Sequence, residues 1–315
     1  MNNRKVLLVG WDAADWKVIN PLLDSGRMPA LASLVERGVV ANLATLDPPL
    51  SPMLWTSIAT GKTADKHGII SFVEPVPDQG GVRPVNVTSR KTRALWNILH
   101  NQGLRSNVVG WWPSHPAEPI RGAMVSNFYQ QAGKPLGEPW KMPKGTVHPP
   151  ALRPDMASLR VHPGELTEAH ILPFVPLAAL IDQEKEHSLN ALAKIIAHAS
   201  SIHSAATWLM RNTAWDFMAV YYDAIDHFGH GFMKFHPPRQ EHIPEDQFEL
   251  YREVVNGGYI FHDMMLERLL KLAGEDTTVI LISDHGFHSD HLRPKHLPKL
   301  PAAPAYEHSP YGILC

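Results

Sequence analysis

The segment Lys5-Val-Leu-Leu-Val-Gly-Trp11, followed at once by Asp12, decides the fold. Its branched aliphatic residues run without a polar interruption, which is typical of a strand that is buried on both faces of a parallel sheet. Helical patterning follows over 16–23 and 29–37, and Gly38 predicts the end of the second helix. A buried strand followed by helices indicates the opening of an α/β fold.

The same alternation continues along the chain. Further strands are expected at 39–46, 104–111, 123–127, 217–222 and 277–283, and further helices at 93–100, 189–210 and 247–273. A last strand is expected to open at 311–315, where the sequence stops, so we expect a core that is C-terminally incomplete. Alternating strands and helices predict a largely parallel sheet sandwiched by helices.

The composition changes in the middle of the chain. From about 128 to 163, proline and glycine become dense and apolar periodicity is lost. We therefore expect an inserted cap region at 128–189. The core of the α/β fold is then expected to consist of 1–127 and 190–315.

Charge and composition narrow the function classes. Lys and Arg total 29 against 31 Asp and Glu, which gives a net charge of -2 and no positive excess for a polyanion. We therefore expect no nucleic acid polymer and no membrane among the partners. The single cysteine, Cys315, excludes an internal disulfide and a thiolate metal site. Since no signal peptide and no apolar run of about 18 residues is found, a cytoplasmic protein is predicted.

Three of the expected strands end in acidic residues. Asp12 follows the first strand, Asp223 and Asp226 follow a later one, and Asp284 follows the strand after that. Because ligands bind at the carboxyl ends of strands in open parallel sheets, these residues can converge on one crevice. The chain also has 19 histidines, and carboxylates that meet imidazoles favour a divalent metal ion.

Two local spacings favour metal binding. Asp226 and His230 are separated by one helical turn, which places both on one face of a helix. Asp284 and His285 are adjacent before Gly286, where the backbone can turn sharply enough for both side chains to reach one ion. Such oxygen and nitrogen donors suit Zn²⁺, or Mn²⁺ where carboxylates dominate. Each pair alone also fits a purely structural role.

Ser51 is the candidate nucleophile. Ser51 followed by Pro52 matches a helix N-cap with proline at the first helical position. The start of a helix offers backbone N–H groups and a positive dipole end to an anion such as phosphate. Considered alone, Ser51 also fits a simple N-cap without a catalytic role.

Taken in order, these motifs resemble the alkaline phosphatase superfamily, and within it the type I phosphodiesterase and nucleotide pyrophosphatase branch. The resemblance spans residues 5 to about 310 and rests on Asp12 after the first strand, Ser51 ahead of Ser57-Ile-Ala-Thr-Gly61, His67-Gly68, Asp226-x-x-Gly229-His230 and Ser283-Asp284-His285-Gly286. It implies an alkaline phosphatase-like core that hydrolyses a small-molecule phosphate ester, either a phosphodiester or a nucleotide-type pyrophosphate. The implied reaction passes through a phosphoseryl intermediate on Ser51, with two divalent metal ions, Zn²⁺ or Mn²⁺, as cofactors.

The resemblance also implies which residues hold the metal ions. The implied ligands form two sets: Asp226, His230 and His308 for one ion, and Asp12, Asp284 and His285 for the other. His308 best matches the late histidine of the family, while His288 and His291 stay open as alternatives to it.

Two departures from the branch bear on the substrate. Leu54 replaces an Asn that helps to bind phosphate in nucleotide pyrophosphatases, which leaves nucleotide specificity open. Pro52 directly after Ser51 disagrees with the sulfatase signature. A phosphomonoester or phosphonate hydrolase, a phosphomutase on the same scaffold, and a catalytically silent binding domain therefore stay as alternatives. A nucleotide-binding doubly wound domain is disfavoured, because no G-x-G-x-x-G or Walker loop follows the first strand.

Several further residues have two interpretations. His67 is expected to be structural, although it resembles a position near the site in the family. Asp223 fits either an acceptor that orients a ligand histidine or a helix cap. The tryptophans Trp11, Trp55, Trp111 and Trp112 fit either core packing or a substrate pocket.

Overall fold

The computed structural model describes residues 4–77, 80–184, 186–300 and 302–315. Within these ranges, the strands are β1 (Val6–Trp11), β2 (Ala41–Ala44), β3 (Val73–Pro75), β4 (Val82–Pro84), β5 (Ser106–Val109), β6 (Gly122–Val125), β7 (Val147–His148), β8 (Phe217–Tyr222), β9 (Thr278–Ile282), β10 (Gly286–Phe287), β11 (His308–Ser309) and β12 (Tyr311–Leu314).

The α-helices of the described ranges are α1 (Trp16–Asp24), α2 (Pro29–Arg37), α3 (Ser51–Thr60), α4 (Ala64–His67), α5 (Leu95–Asn101), α6 (Arg153–Ser158), α7 (Glu168–Ile171), α8 (Ser188–Asn212), α9 (Ala224–Phe232), α10 (Glu245–Tyr251) and α11 (Val254–Ala273). Short 3-10 helices lie at Val87–Ser89, Pro150–Leu152, Pro163–Glu165, Ala178–Leu180, Met233–Phe235 and Ala303–Glu307. Among the described helices, none combines the length and apolar character that crossing a membrane requires.

The central sheet has the strand order β2-β12-β9-β1-β8-β5-β6-β7. Five consecutive strands of this order, β9, β1, β8, β5 and β6, run parallel to one another. β12 and β7 run antiparallel to the strands beside them. The prediction of a largely parallel sheet flanked by helices is therefore confirmed.

β1 lies at the centre of this sheet and is covered on both faces. Leu7, Val9 and Trp11 belong to the larger core cluster, which also contains residues of α1, α2, α8 and α11. Leu8 points the other way, into a smaller cluster with Trp55 of α3. Burial of each of these side chains contributes about 1.5–3 kcal/mol, so the uninterrupted aliphatic run of β1 matches its position.

Gly10 allows α3 to approach β1 closely. A Cβ atom at Gly10 would lie 2.6 Å from the Trp55 ring, a distance that side chains do not adopt. Only glycine therefore lets Trp55 pack across the end of β1. This contact brings the Trp55 indole next to Asp12.

Two predicted segments, 247–273 and 128–189, contain features that the prediction did not include. The helix expected over 247–273 is in fact two helices, α10 and α11, which are separated by a turn at Arg252 and Glu253. The sequence pattern did not indicate this turn, because apolar residues recur with helical spacing on both sides of it. In the segment 128–189, β7 pairs with β6 at the edge of the sheet, while the division of the chain into core and cap stays a prediction.

Candidate active site

The acidic residues that were predicted to converge follow neighbouring strands of the sheet. Asp12, Asp223 and Asp284 come after β1, β8 and β9, which are adjacent and parallel. The Asp12 N–H donates to the Tyr222 carbonyl at 3.0 Å, so the ends of β1 and β8 stay joined. Asp226 lies in the first turn of α9. The carboxyl end of the sheet therefore carries a concentration of carboxylates.

The first cluster consists of Asp12, Asp284 and His285, which are all buried. His285 Nε2 lies 3.3 Å from Asp12 Oδ1 and 3.6 Å from Asp284 Oδ2. None of these three atoms makes a hydrogen bond within the described ranges. Burial, and then the negative charge of Asp12, raise the pKa of Asp284 well above its usual value. A divalent cation bound by these three atoms would offset both the cost of burying the carboxylates and the repulsion between Asp12 and Asp284. This donor set therefore fits a metal ion.

Neighbouring groups orient the two carboxylates of this cluster. Asp12 Oδ2 accepts hydrogen bonds from Trp55 Nε1 at 2.9 Å and from the Tyr221 hydroxyl at 2.5 Å. Asp284 Oδ1 accepts from the N–H of Ala13 at 3.3 Å, and Ala13 adopts the left-handed φ of 64°. One oxygen of each carboxylate is thereby held by the protein. The other oxygen, Oδ1 of Asp12 or Oδ2 of Asp284, is left to face His285.

The second cluster consists of Asp226, His230 and His308. His230 Nε2 and His308 Nε2 lie 3.2 Å and 3.4 Å from Asp226 Oδ1. The two Nε2 atoms are 3.1 Å apart. Ligand atoms around a tetrahedral Zn²⁺ with bonds of about 2.0–2.1 Å are about 3.3 Å apart. The spacing within the cluster therefore fits a zinc ion.

The strand pair β10–β11 brings the two clusters side by side. Phe287 pairs with His308 across this pair, and the His308 ring stacks on the His285 ring with centroids 3.7 Å apart. A Cβ atom at Gly286 would collide with Asp15 and Ser309, so the close pairing requires glycine at this position. Asp226, His285 and His308 also offer ligand atoms within 4.8 Å of one another, which shows how closely the clusters adjoin.

Hydrogen bonds fix the tautomer of all three histidines. The Nδ1 atom of each faces an acceptor: the Glu307 carboxylate for His230 (2.6 Å), the Pro49 carbonyl for His308 (3.0 Å) and the Gly286 carbonyl for His285 (2.9 Å). Because carbonyls and carboxylates only accept, Nδ1 carries the proton and the Nε2 lone pair points into the cluster. Lone pairs that face each other at this distance repel unless a proton or a metal cation lies between them.

Glu307 is a functional candidate that the sequence did not reveal. It is buried, and its second oxygen accepts a hydrogen bond from the buried guanidinium of Arg293. Burial lowers the pKa of His230, but the carboxylates of Asp226 and Glu307 outweigh it and raise this pKa to about 9. A glutamate directly before His308 has no specific sequence signature, and its contact with His230 depends on the tertiary fold.

Glu307→Gln is expected to weaken metal binding by about 10–100-fold, because the amide keeps the position but not the charge that orients His230. Competition with a chromogenic chelator would measure this affinity. The single variant leaves the charge of buried Arg293 without its partner, which can destabilise the fold. The double variant Arg293→Gln/Glu307→Gln removes this charge as well, so it separates a folding defect from a loss of metal affinity. Glu249→Gln is the control, since Glu249 is exposed and pairs with Arg252. Unchanged metal affinity in both Glu307 variants would remove Glu307 from the site.

Ser51 lies one position further into the helix than predicted. The N-cap of α3 is Leu50, and Ser51 and Pro52 are the first two helical residues. The reason is that the Leu50 carbonyl already accepts from the N–H groups of Met53 and Leu54, at 3.0 Å and 3.1 Å. Because Pro52 has no N–H, the free backbone donor at this helix start is that of Ser51 itself.

Hydrogen bonds on either side of Ser51 attach the start of α3 to both clusters. One turn after it, Trp55 donates to Asp12 of the first cluster at 2.9 Å. Two residues before it, the Pro49 carbonyl accepts from His308 of the second cluster at 3.0 Å. Ser51 is half-buried between these two attachments, so the start of α3 lies beside both clusters, while the role of Ser51 as nucleophile stays a prediction.

The other histidine candidates lie outside both clusters. His67 is buried, and its Nε2 atom pairs with the Ser57 hydroxyl at 2.9 Å, while Nδ1 accepts from the Ile69 N–H at 3.2 Å. These contacts agree with a structural role. His308 lies 3.4 Å from Asp226 Oδ1, whereas no ion pair or hydrogen bond of the described residues joins the His288 or His291 side chain to either cluster; His308 as the late ligand stays a prediction.

The tryptophans and Asp223, which had two interpretations each, occupy different environments in the structure. Trp11, Trp55 and Trp111 are buried in the core, whereas Trp112 lines a cavity. Asp223 occupies the N-cap position of α9 without a side-chain capping hydrogen bond, and its carboxylate lies 3.6 Å from His227 Nε2.

Comparison with known proteins places this geometry in context. The family described as type I phosphodiesterase / nucleotide pyrophosphatase matches residues 6–297. Phosphonoacetate hydrolase from Sinorhizobium meliloti 1021, solved in complex with phosphonoacetate, has a TM-score of 0.54 at 17% sequence identity, over 93% of this chain and 58% of that chain. An inactive form of murine ectonucleotide pyrophosphatase / phosphodiesterase 5 in complex with AMP has a TM-score of 0.51 at 13% identity, over 90% and 57%.

Both likenesses concern the fold. The chain spans 58% and 57% of the lengths of these two proteins. No curated protein matches the chain.

Proposed function

Because the chain belongs to the type I phosphodiesterase / nucleotide pyrophosphatase family, as its motifs predicted, we propose that it is a two-metal hydrolase of phosphate esters. Its substrates are small phosphodiesters or nucleotide-type pyrophosphates. One observation carries the proposal. Six side chains that can bind a metal ion come from distant parts of the chain and form two adjoining clusters, in which their carboxylate oxygens and imidazole Nε2 atoms face each other.

Two sets of side chains would hold the metal ions. Asp12, Asp284 and His285 form one set, and Asp226, His230 and His308 form the other. Mixed nitrogen and oxygen donors suit Zn²⁺, and the carboxylates also allow Mn²⁺. When bound, two such ions would stabilise the charge on the attacking and leaving oxygens of a phosphoryl transfer and lower the pKa of a hydroxyl.

Ser51 is the nucleophile in this proposal. Its Oγ forms a bond to phosphorus while the bond from phosphorus to the leaving oxygen breaks, which yields a phosphoseryl intermediate that water then hydrolyses. The position of Ser51 between the two attachments of α3 supports this role. Its free N–H and the positive end of the α3 dipole would favour the anionic phosphoryl group.

A second candidate function is hydrolysis of phosphomonoesters or phosphonates on the same scaffold. Leu54 favours it, because this side chain replaces the Asn of nucleotide pyrophosphatases and is only 3% exposed. A buried leucine cannot donate a hydrogen bond to a substrate phosphate. A catalytically silent domain is disfavoured, since such a domain has no need for six matched donors.

Turnover of two chromogenic esters tests the proposal. The Zn²⁺- or Mn²⁺-loaded protein is expected to hydrolyse bis(para-nitrophenyl) phosphate with a kcat/KM about tenfold or more above that for para-nitrophenyl phosphate. Faster hydrolysis of the monoester would favour the second candidate. If the folded, metal-loaded protein cleaves neither ester, the hydrolase proposal is wrong.

A further inference from the structure

A cavity of about 690 Å³ opens at the carboxyl end of the sheet. Asp223 and His227, which lie on either side of Asp226 in the sequence, form part of its wall. Trp112 and Phe128, which follow β5 and β6, form another part. Since these strands are parallel to β1 and β8, the cavity lies at the same edge of the sheet as the two clusters, and Asp223 and His227 connect its wall to Asp226 through α9.

The wall of this cavity is positively charged. Three lysines line it: Lys134 and Lys141 from the loop between β6 and β7, and Lys194 from α8. The only carboxylate among the described lining residues is Asp223, which already lies 3.6 Å from His227 Nε2. Because the whole chain has a net charge of -2, the positive charge here is a local feature.

Two of the lysines are available to a ligand. Lys134 lies 3.6 Å from the carboxylate of Glu138. Lys141 and Lys194, by contrast, make no ion pair or hydrogen bond within the ranges that the structure describes, and both are exposed. An ammonium group without a partner beside a cavity can bind an anion without first breaking an ion pair.

Aromatic rings form a further part of the wall. Trp112 packs edge-to-face against Phe72 with centroids 6.0 Å apart, and Phe128 stacks on His115 with centroids 4.3 Å apart. Trp140 is covered by the guanidinium of Arg160, 3.9 Å from the ring centroid. These rings give the cavity an apolar surface that would contact a carbon skeleton and strengthen nearby charge interactions.

A neighbouring cavity of about 780 Å³ shares Lys194, His198 and His227 with this one. Its wall contains the carboxylate of Glu186 and neither Lys134 nor Lys141. With Lys194 and Lys234 against Glu186, this neighbouring cavity has a smaller excess of positive charge than the cavity that Trp112 lines, which has three lysines against Asp223.

We propose that this cavity binds a second anionic group of the substrate, a carboxylate or a further phosphate, which a short organic linker joins to the phosphoryl group. Lys141 and Lys194 supply the charge, and the aromatic wall contacts the linker. The inference rests on the proposed function for the position of the reacting phosphoryl group. It deepens that function by naming a substrate class, phosphate esters with an anionic substituent.

Calorimetric binding to the metal-loaded protein tests this class with probes that have a C–P bond in place of the ester. The probes are phenylphosphonate, para-carboxyphenylphosphonate and para-phenylene diphosphonate. At least one of the two substituted probes is expected to bind about tenfold or more tightly than phenylphosphonate. The tighter of the two identifies the anion as carboxylate or phosphate.

Variants assign the preference to the lysines. Lys141→Gln/Lys194→Gln is expected to reduce the preference to about twofold or less, since glutamine keeps the length but not the charge. Lys144→Gln is the matched control, because Lys144 is exposed and does not line the cavity. Equal binding of all three probes, or a preference that survives the double variant, would overturn the proposal.

Turnover of bis(para-nitrophenyl) phosphate by the wild-type protein, measured in parallel, separates this inference from the proposed function. Turnover together with equal binding of the probes overturns the anion site alone. A binding preference in a protein that cleaves neither this diester nor para-nitrophenyl phosphate overturns the hydrolase proposal and supports the anion site.

Discussion

Ser51→Ala is expected to lower the turnover of bis(para-nitrophenyl) phosphate by about 10³-fold or more, because alanine has no hydroxyl to attack phosphorus. Among the described residues, the Ser51 side chain makes no hydrogen bond to either cluster, so we expect the metal content of the variant to equal that of the wild type. Steady-state kinetics and metal analysis of the same preparation would measure both. Loss of turnover with full metal content would assign Ser51 to the chemical step.

Two controls sharpen this test. Ser51→Thr keeps a hydroxyl at the same position and is expected to retain much of the turnover. Ser57→Ala, in the same helix, removes a hydroxyl that contacts His67 and the Met53 carbonyl. It should cost about 1 kcal/mol of stability and leave turnover intact. Wild-type turnover in Ser51→Ala would show that the nucleophile lies elsewhere.

Removal of metal is expected to abolish turnover and to lower the melting temperature. Without a cation, the Nε2 atoms of His230 and His308 face each other at 3.1 Å, and only protons can relieve their repulsion. Each metal site saturated to about 1,000 times its Kd stabilises the fold by about 4 kcal/mol. Dialysis against a chelator, followed by re-addition of Zn²⁺ or Mn²⁺, would measure the loss and the recovery by turnover and thermal denaturation.

The affinity for the re-added metal is expected to depend on pH. Although burial opposes it, the surrounding carboxylates raise the pKa of His230 to about 9 and that of His285 to about 10 in the metal-free protein. Protons therefore compete with metal at neutral pH, and metal affinity should rise as the pH increases toward these values. Turnover that persists after complete metal removal would contradict the two-metal account.

The fold could be predicted because its signals are local. The aliphatic run of β1 and the acidic residues after β1, β8 and β9 each report on a few neighbouring residues. The break between α10 and α11 gave no such signal, because the apolar spacing continues across it. The start of α3 was misplaced by one residue, since the capping carbonyl belongs to Leu50 and a backbone group leaves no trace in the sequence.

Of the candidate site, the sequence predicted the ligand side chains but not the groups that orient them. The ligand side chains occur in recognisable spacings, but the groups that orient them come from distant positions. Tyr221 lies 209 residues from Asp12, and Glu307 lies 77 residues from His230. The lysines of the anion cavity likewise come from two distant segments, the loop between β6 and β7 and helix α8. Such contacts depend on the packing of the whole sheet and could not be inferred from spacing.

The central claim is that this chain hydrolyses phosphate esters with two bound metal ions. It is tested most directly by plasma mass spectrometry of protein purified without chelator, with turnover of bis(para-nitrophenyl) phosphate measured on the same sample. The account predicts about two equivalents of Zn²⁺ or Mn²⁺ per chain, with turnover that falls in proportion as metal is withdrawn. A folded protein that binds no divalent metal and cleaves no ester would contradict it.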